Sequence, residues 1–167
     1  MRIKWFSLIR ITGLLLVLLY HFFQTIFPGG FFGVDVFFTF SGFLITSLLL
    51  EEFGKARQID LLGFFKRRFY RIVPPVVLMV LVTMPFTFLV RQDYVAGIGG
   101  QIAGVLGFMT NFYELLTGGS YESQFIPHLF VHNWSLAVEV HYSILWGLAV
   151  WFLSKQSRSN GQLRGMV

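Results

Sequence analysis

The stretch FFGVDVFFTFSGFLITSLLLEE, residues 31–52, decides the fold. Asp35 is the only charge in its first twenty residues, and Glu51 and Glu52 close it. An apolar run of about twenty residues matches a helix that crosses the hydrocarbon of a bilayer. Four further runs of this kind lie near residues 8–27, 72–90, 95–113 and 134–153.

Composition agrees with this reading. The chain of 167 residues is 55% hydrophobic and 13% charged, with 21 Phe and a mean hydropathy of +0.68. A soluble domain carries about a quarter charged residues. The predicted class is all-α, a polytopic membrane bundle of four to five hydrophobic helices. Cysteine is absent, which excludes a disulfide framework, thiol chemistry and Cys-based zinc sites. The net charge of +5 comes from basic residues between the apolar runs. Membrane topology accounts for it without a nucleic-acid partner.

The N-terminus MRIKWFSLIR precedes an apolar run, as a signal peptide would. Arg10 interrupts that run, and TIFPGG lacks a small-x-small cleavage pattern, so an uncleaved first span is expected. Arg2 and Lys4 place the N-terminus in the cytoplasm. Lys55, Arg57, Lys66, Arg67, Arg68 and Arg71 place the loop after the second run on the same side. Within it, DLLGFFKRRFY is spaced for a short interfacial helix. Pro74 and Pro75 suit the first turn of the third span, and Pro85 would kink it. If 95–113 crosses, the basic tail with Lys155, Arg158 and Arg164 falls outside, against the positive-inside tendency. That conflict and the glycine-rich sequence favour a non-spanning or re-entrant 95–113.

Arg10 and His21 lie eleven positions apart. They share a helix face, about 20° out of register and about 16 Å apart. Ionisable residues inside spans are costly and mark pathways or sites. Snorkelling explains Arg10 equally well, and a hydrogen-bonded core histidine explains His21 equally well. Asp35 could orient His21. A role in the first turn of a helix, where an acid suits free amides and the dipole, is favoured over catalysis. Ser41 and Gly42 do not form a hydrolase elbow, and read as small residues for helix packing.

Arg68 and Arg71 share a helix face, where two guanidinium forks could clamp phosphates or anchor lipid headgroups. His128 and His132, with Glu139, have weak metal-ligand spacing. A buried acid, base or hydrogen-bond anchor is the stronger reading of Glu139, and no metal is expected. His141 reads as an interfacial polar residue.

Arg10–x10–His21, GFFGVDVFFTFSGFLI, FFKRRFYRIVPP and HNWSLAVEVHYSILW occur in an order that resembles the acyltransferase 3 family of bacterial membrane acyltransferases. The likeness is nearest to peptidoglycan O-acetyltransferases of Gram-positive bacteria. The resemblance implies a membrane domain with about twice as many spans, of which residues 1–167 would be a truncated first part. The hydrolase-like outer domain that many members carry is not expected here. The family implies transfer of an acyl group, commonly acetyl from acetyl-CoA, from the cytoplasm to an extracytoplasmic carbohydrate.

By resemblance, His21 and Arg10 are catalytic, Arg68 and Arg71 handle acyl-CoA, and Glu139 and Trp134 belong to a WSLxxE block. Asp35 falls in a hallmark string without becoming a catalyst. After Glu139 the chain reads VHYS, with Ser143 where an aromatic is usual. A transporter or flippase-like path, or an inactive remnant, would also place ions inside spans.

Overall fold

The computed structural model of the chain describes residues 4–23, 25–87, 89, 97–117 and 128–164, with side chains for all of these except 4–7, 10 and 158–164. The described elements are helical. The long helices divide between two compact units, the second running from Asp60 to Trp151.

In the first unit, α1 (Lys4–Phe22) and α2 (Gly33–Ala56) are joined by a 3-10 turn at Pro28–Phe32. They pack antiparallel with little between their backbones. A Cβ on Gly33 would stand 2.6 Å from the Gly13 carbonyl oxygen and 2.8 Å from Val17 Cγ2. A Cβ on Gly30 would strike the Leu16 carbonyl and lie 2.8 Å from the Tyr20 Cβ. Small residues at a helix crossing let dispersion and backbone contact replace a hydrophobic drive that lipid does not supply.

The second unit contains α3 (Leu61–Thr87), α4 (Ile98–Leu106), α5 (Thr110–Thr117), a 3-10 turn at Val131–Asn133, and α6 (Trp134–Arg164) as far as Trp151. Helices α3 and α6 run antiparallel. Phe64 and Phe65 meet Gly147, Arg68 meets Glu139, and Leu136 joins the cluster around Val76 and Val80. Val105 and Phe130 complete that cluster.

Three helical stretches among the described residues are long and apolar enough to cross a membrane: Pro28–Ala56, Leu61–Thr87 and Val131–Ser157. A shorter apolar helix covers Ile11–Phe22. Within the segment 95–113, the described residues 97–113 do not form a crossing helix. Helix α4 has nine residues, about 14 Å at the helical rise, against a hydrocarbon core of about 30 Å. It ends in a reversal at Phe108, whose φ of 53° is left-handed. Met109 N–H bonds the Gly104 carbonyl and Phe108 N–H bonds the Val105 carbonyl, the pattern that usually carries glycine at the left-handed position. The chain then turns into α5, and Tyr113 packs back over Gly100, where a Cβ would lie 2.8 Å from the ring.

Pro74 and Pro75 depart from expectation. They do not open a third span, because the interfacial segment and the apolar run form one helix of 27 residues that contains both, together with Pro85. The proline nitrogens cannot bond the carbonyls of Tyr70 and Arg71, four residues back. Continued burial of α3 through Phe64, Val76 and Val80 outweighs the local stop signal.

Candidate active site

Arg68 lies on the face of α3 that meets α6. Its Nη1 donates to Glu139 Oε1 at 3.3 Å, with the two side chains 13% and 25% exposed. The guanidinium carbon stands 5.9 Å from the centre of the Phe64 ring. A carboxylate and an aromatic face both favour such a cation. Along α6, Ser143 is buried and donates its hydroxyl proton to the Glu139 carbonyl at 2.7 Å. A further turn on, a Cβ at Gly147 would meet Phe64 at 3.1 Å. Two small residues on α6 therefore face large ones on α3.

Beside this contact is a cavity of about 670 Å³, within the range of small-molecule sites. Phe65, Ile72 and Phe108 line it together with Lys66, Arg68 and Ser143, and its surface is almost wholly apolar. Phe108 reaches this wall from its left-handed backbone position. A bulky residue there carries strain of about 1–3 kcal/mol, which the surrounding packing must offset. Such a lining suits an apolar ligand or the apolar arm of one.

Arg71, the second arginine of the expected pair, is exposed on α3, whereas Arg68 is engaged by Glu139. Trp134 is half-buried as the first residue of α6. His141 lies against Phe112, with ring centres 5.6 Å apart.

In the first unit, His21 sits in the last turn of α1, and its Nδ1 bonds the Val17 carbonyl at 2.7 Å. A carbonyl oxygen only accepts, so this bond assigns the proton to Nδ1 and makes Nε2 the nitrogen that can take one up. The orienting group for Nδ1 is thus the backbone of the same helix rather than Asp35. Asp35 is exposed in the first turn of α2, two residues inside the helix, where it suits the dipole. Arg10 belongs to α1, but its side chain lies outside the described residues.

One buried pair joins residues far apart in the sequence. His128, spaced in the sequence for a metal site with His132 and Glu139, instead bonds Glu114: Nδ1 and Oε2 are 2.5 Å apart, at 11% and 8% side-chain exposure. His132 is exposed. Among the described residues, no group of three or more His, Cys, Asp or Glu could hold a metal ion. Glu114 was detectable as the only charge in TNFYELLT, but its partner lies fourteen positions on.

The family model described as an acyltransferase domain matches residues 3–161. O-acetyltransferase OatA of Staphylococcus aureus strain NCTC 8325 is 33% identical over 145 residues, 87% of this chain and 24% of the relative. A second S. aureus protein, from strain COL and named as a candidate O-acetyltransferase, is 34% identical over 136 residues, 81% of this chain and 22% of the relative. The chain thus spans about a quarter of the length of the curated relatives it matches. No solved structure matches it. With the family pattern running through nearly every helix described above, the chain belongs to the acyltransferase domain family.

Proposed function

We propose that this chain forms membrane-embedded machinery of an O-acyltransferase, passing an acyl group from cytoplasmic acyl-CoA towards an extracytoplasmic cell-wall carbohydrate such as peptidoglycan. Acetyl, from acetyl-CoA, is the group favoured by the names of the relatives. The observation that carries the reading is the apolar cavity bordered by Lys66 and Arg68. The pantetheine arm would occupy the apolar part, and the cations would face the phosphates. Arg71, exposed one turn from Arg68, would add a second fork outside the cavity.

Glu139 Oε1 lies 3.3 Å from Arg68 Nη1, a contact that an arriving phosphate could replace. His21, with Nδ1 committed to the Val17 carbonyl, would accept a proton at Nε2 during transfer. Arg10 would line the acyl route, and Asp35 and Trp134 would be supporting residues. In this reading the N-terminus and residues 51–71 are cytoplasmic.

Titration of the purified chain in detergent with acetyl-CoA tests the donor site. Arg68→Lys and Arg71→Lys retain charge but lose the planar fork, and each is expected to weaken binding roughly tenfold. Unchanged affinity in both variants would leave only an anchoring role for the arginines. Cysteines placed at Lys55 and Gln58 should resist an impermeant thiol reagent in intact cells; ready labelling would reverse the orientation.

A further inference from the structure

Most of the wall of the cavity between α3 and α6 is built from large side chains, among them Leu62, Phe65, Phe69, Ile72 and Phe108. Ser143 is the smallest residue in it. It is 4% exposed, and its hydroxyl is turned along its own helix to the Glu139 carbonyl at 2.7 Å. With that proton committed, Ser143 offers the cavity little more than a methylene. Gly147, one turn on, is small for another reason. A Cβ there would meet Phe64 at 3.1 Å, so its size serves helix contact, whereas Ser143 borders open volume.

That volume, about 670 Å³, is of the size that holds a whole small molecule. An acetyl group carries a single methyl beyond its carbonyl. Further hydrocarbon on the acyl group would bury against Phe65, Ile72 and Phe108 without stranding a polar atom. We propose that this cavity accepts acyl chains longer than acetyl, and that Ser143 determines how long. The inference rests on the reading of the cavity as the acyl-CoA site. Lys66 and Arg68 are among its lining residues, so a chain carried on an anionic donor is favoured over one carried on a neutral lipid. Each methylene moved from water to an apolar wall tightens binding about fourfold. A side chain larger than serine at position 143 would fill the space that the added methylenes need.

The test titrates the whole chain, in phosphatidylcholine nanodiscs, with CoA, acetyl-CoA, butyryl-CoA and hexanoyl-CoA, and uses empty nanodiscs as the blank. Hexanoyl-CoA is expected to bind at least about tenfold tighter than acetyl-CoA, with butyryl-CoA between them. The readout for Ser143 is the ratio of hexanoyl to acetyl affinity, which is insensitive to any loss common to both donors. Ser143→Ala should keep that ratio, because it keeps the space and removes only the hydroxyl. Ser143→Val should lower it, and Ser143→Leu should abolish the preference. Should the leucine variant fail to fold, the parent series and the valine variant still decide. Binding of CoA and acetyl-CoA with no gain for hexanoyl-CoA overturns the inference and leaves the donor site standing; a phospholipid tail resident in the cavity would give this result. A preference that survives Ser143→Leu in folded protein removes Ser143 as its determinant. Absence of all CoA binding defeats the donor reading, and the inference falls with it.

Discussion

The two units satisfy their polar side chains in different ways. In the α1–α2 hairpin, bonds return to the same helix within one turn: Thr12 to the Leu8 carbonyl, His21 to Val17, Thr46 to Gly42, and Lys55 to Glu51. The second unit has local bonds of that kind too, at Thr83, Thr87, Thr117 and Ser143, but adds ones that bridge distant parts of the chain. His128 and Glu114 are 14 positions apart, Phe130 and Gln101 are 29 apart, and Arg68 and Glu139 are 71 apart. A group bonded to its own helix can be replaced without disturbing a neighbour. A group bonded across the fold leaves its partner buried and uncompensated when it is removed. Chemistry and stability should therefore separate on substitution in the hairpin and remain coupled in the second unit.

The sharpest test of this contrast is His21→Gln in the native protein. Glutamine keeps polarity and approximate size but cannot relay a proton near neutral pH. Acyl transfer is expected to fall by about 10²–10⁴-fold, with membrane abundance unchanged. Product acetylation and protein level are measured in the same cells. Abundance falling in step with activity would make His21 a packing residue, and full activity would remove it from the chemistry.

Glu139→Ala comes next in size. It removes the carboxylate beside a largely buried guanidinium, and the purified chain should lose about 3 kcal/mol against chemical denaturation. A loss below about 1 kcal/mol would mean that the pair behaves like an exposed one, and the contrast between the units would fail there.

Gly33→Ala probes the hairpin's backbone rather than its polar groups. Its new methyl would press on the Gly13 carbonyl at 2.6 Å, which backbone cannot avoid by rotation. A cost of about 1–3 kcal/mol is expected from overpacking, seen as a lower melting temperature. An unchanged melting temperature would show that α1 and α2 have room to separate.

The smallest effect is expected at Glu51. Its pair with Lys55 is exposed on both sides, at 57% and 75%, and lies within one turn. Glu51→Gln should leave melting and membrane abundance unchanged. A measurable loss would contradict the view that local surface pairs in the hairpin contribute little.

Much of the fold was legible because apolar length is a local property. Residues 31–50 read as a membrane helix, and they lie within the helical stretch Pro28–Ala56, most of it α2. The weakness of 95–113 as a crossing was also legible, since charge balance and glycine content argued against it, and the segment breaks at Phe108. The boundary at Pro74 was misread for the opposite reason. Proline rules describe a helix alone, whereas α3 is held through that point by neighbours on both sides of it.

The sequence by itself determined that this chain is helical, membrane-embedded and assembled from the motifs of its family. Those features depend on hydropathy over about twenty residues and on short spacings along one helix. Only the tertiary structure decided which polar groups meet. It set Arg68 against Glu139 and left Arg71 exposed. It gave His128 to Glu114 and shaped a cavity around Ser143 and Phe108. The physical reason is that hydrophobic burial is non-directional and roughly additive along a segment. A hydrogen bond or ion pair needs two specific atoms within about 3 Å, and the path of the chain between them decides whether they meet.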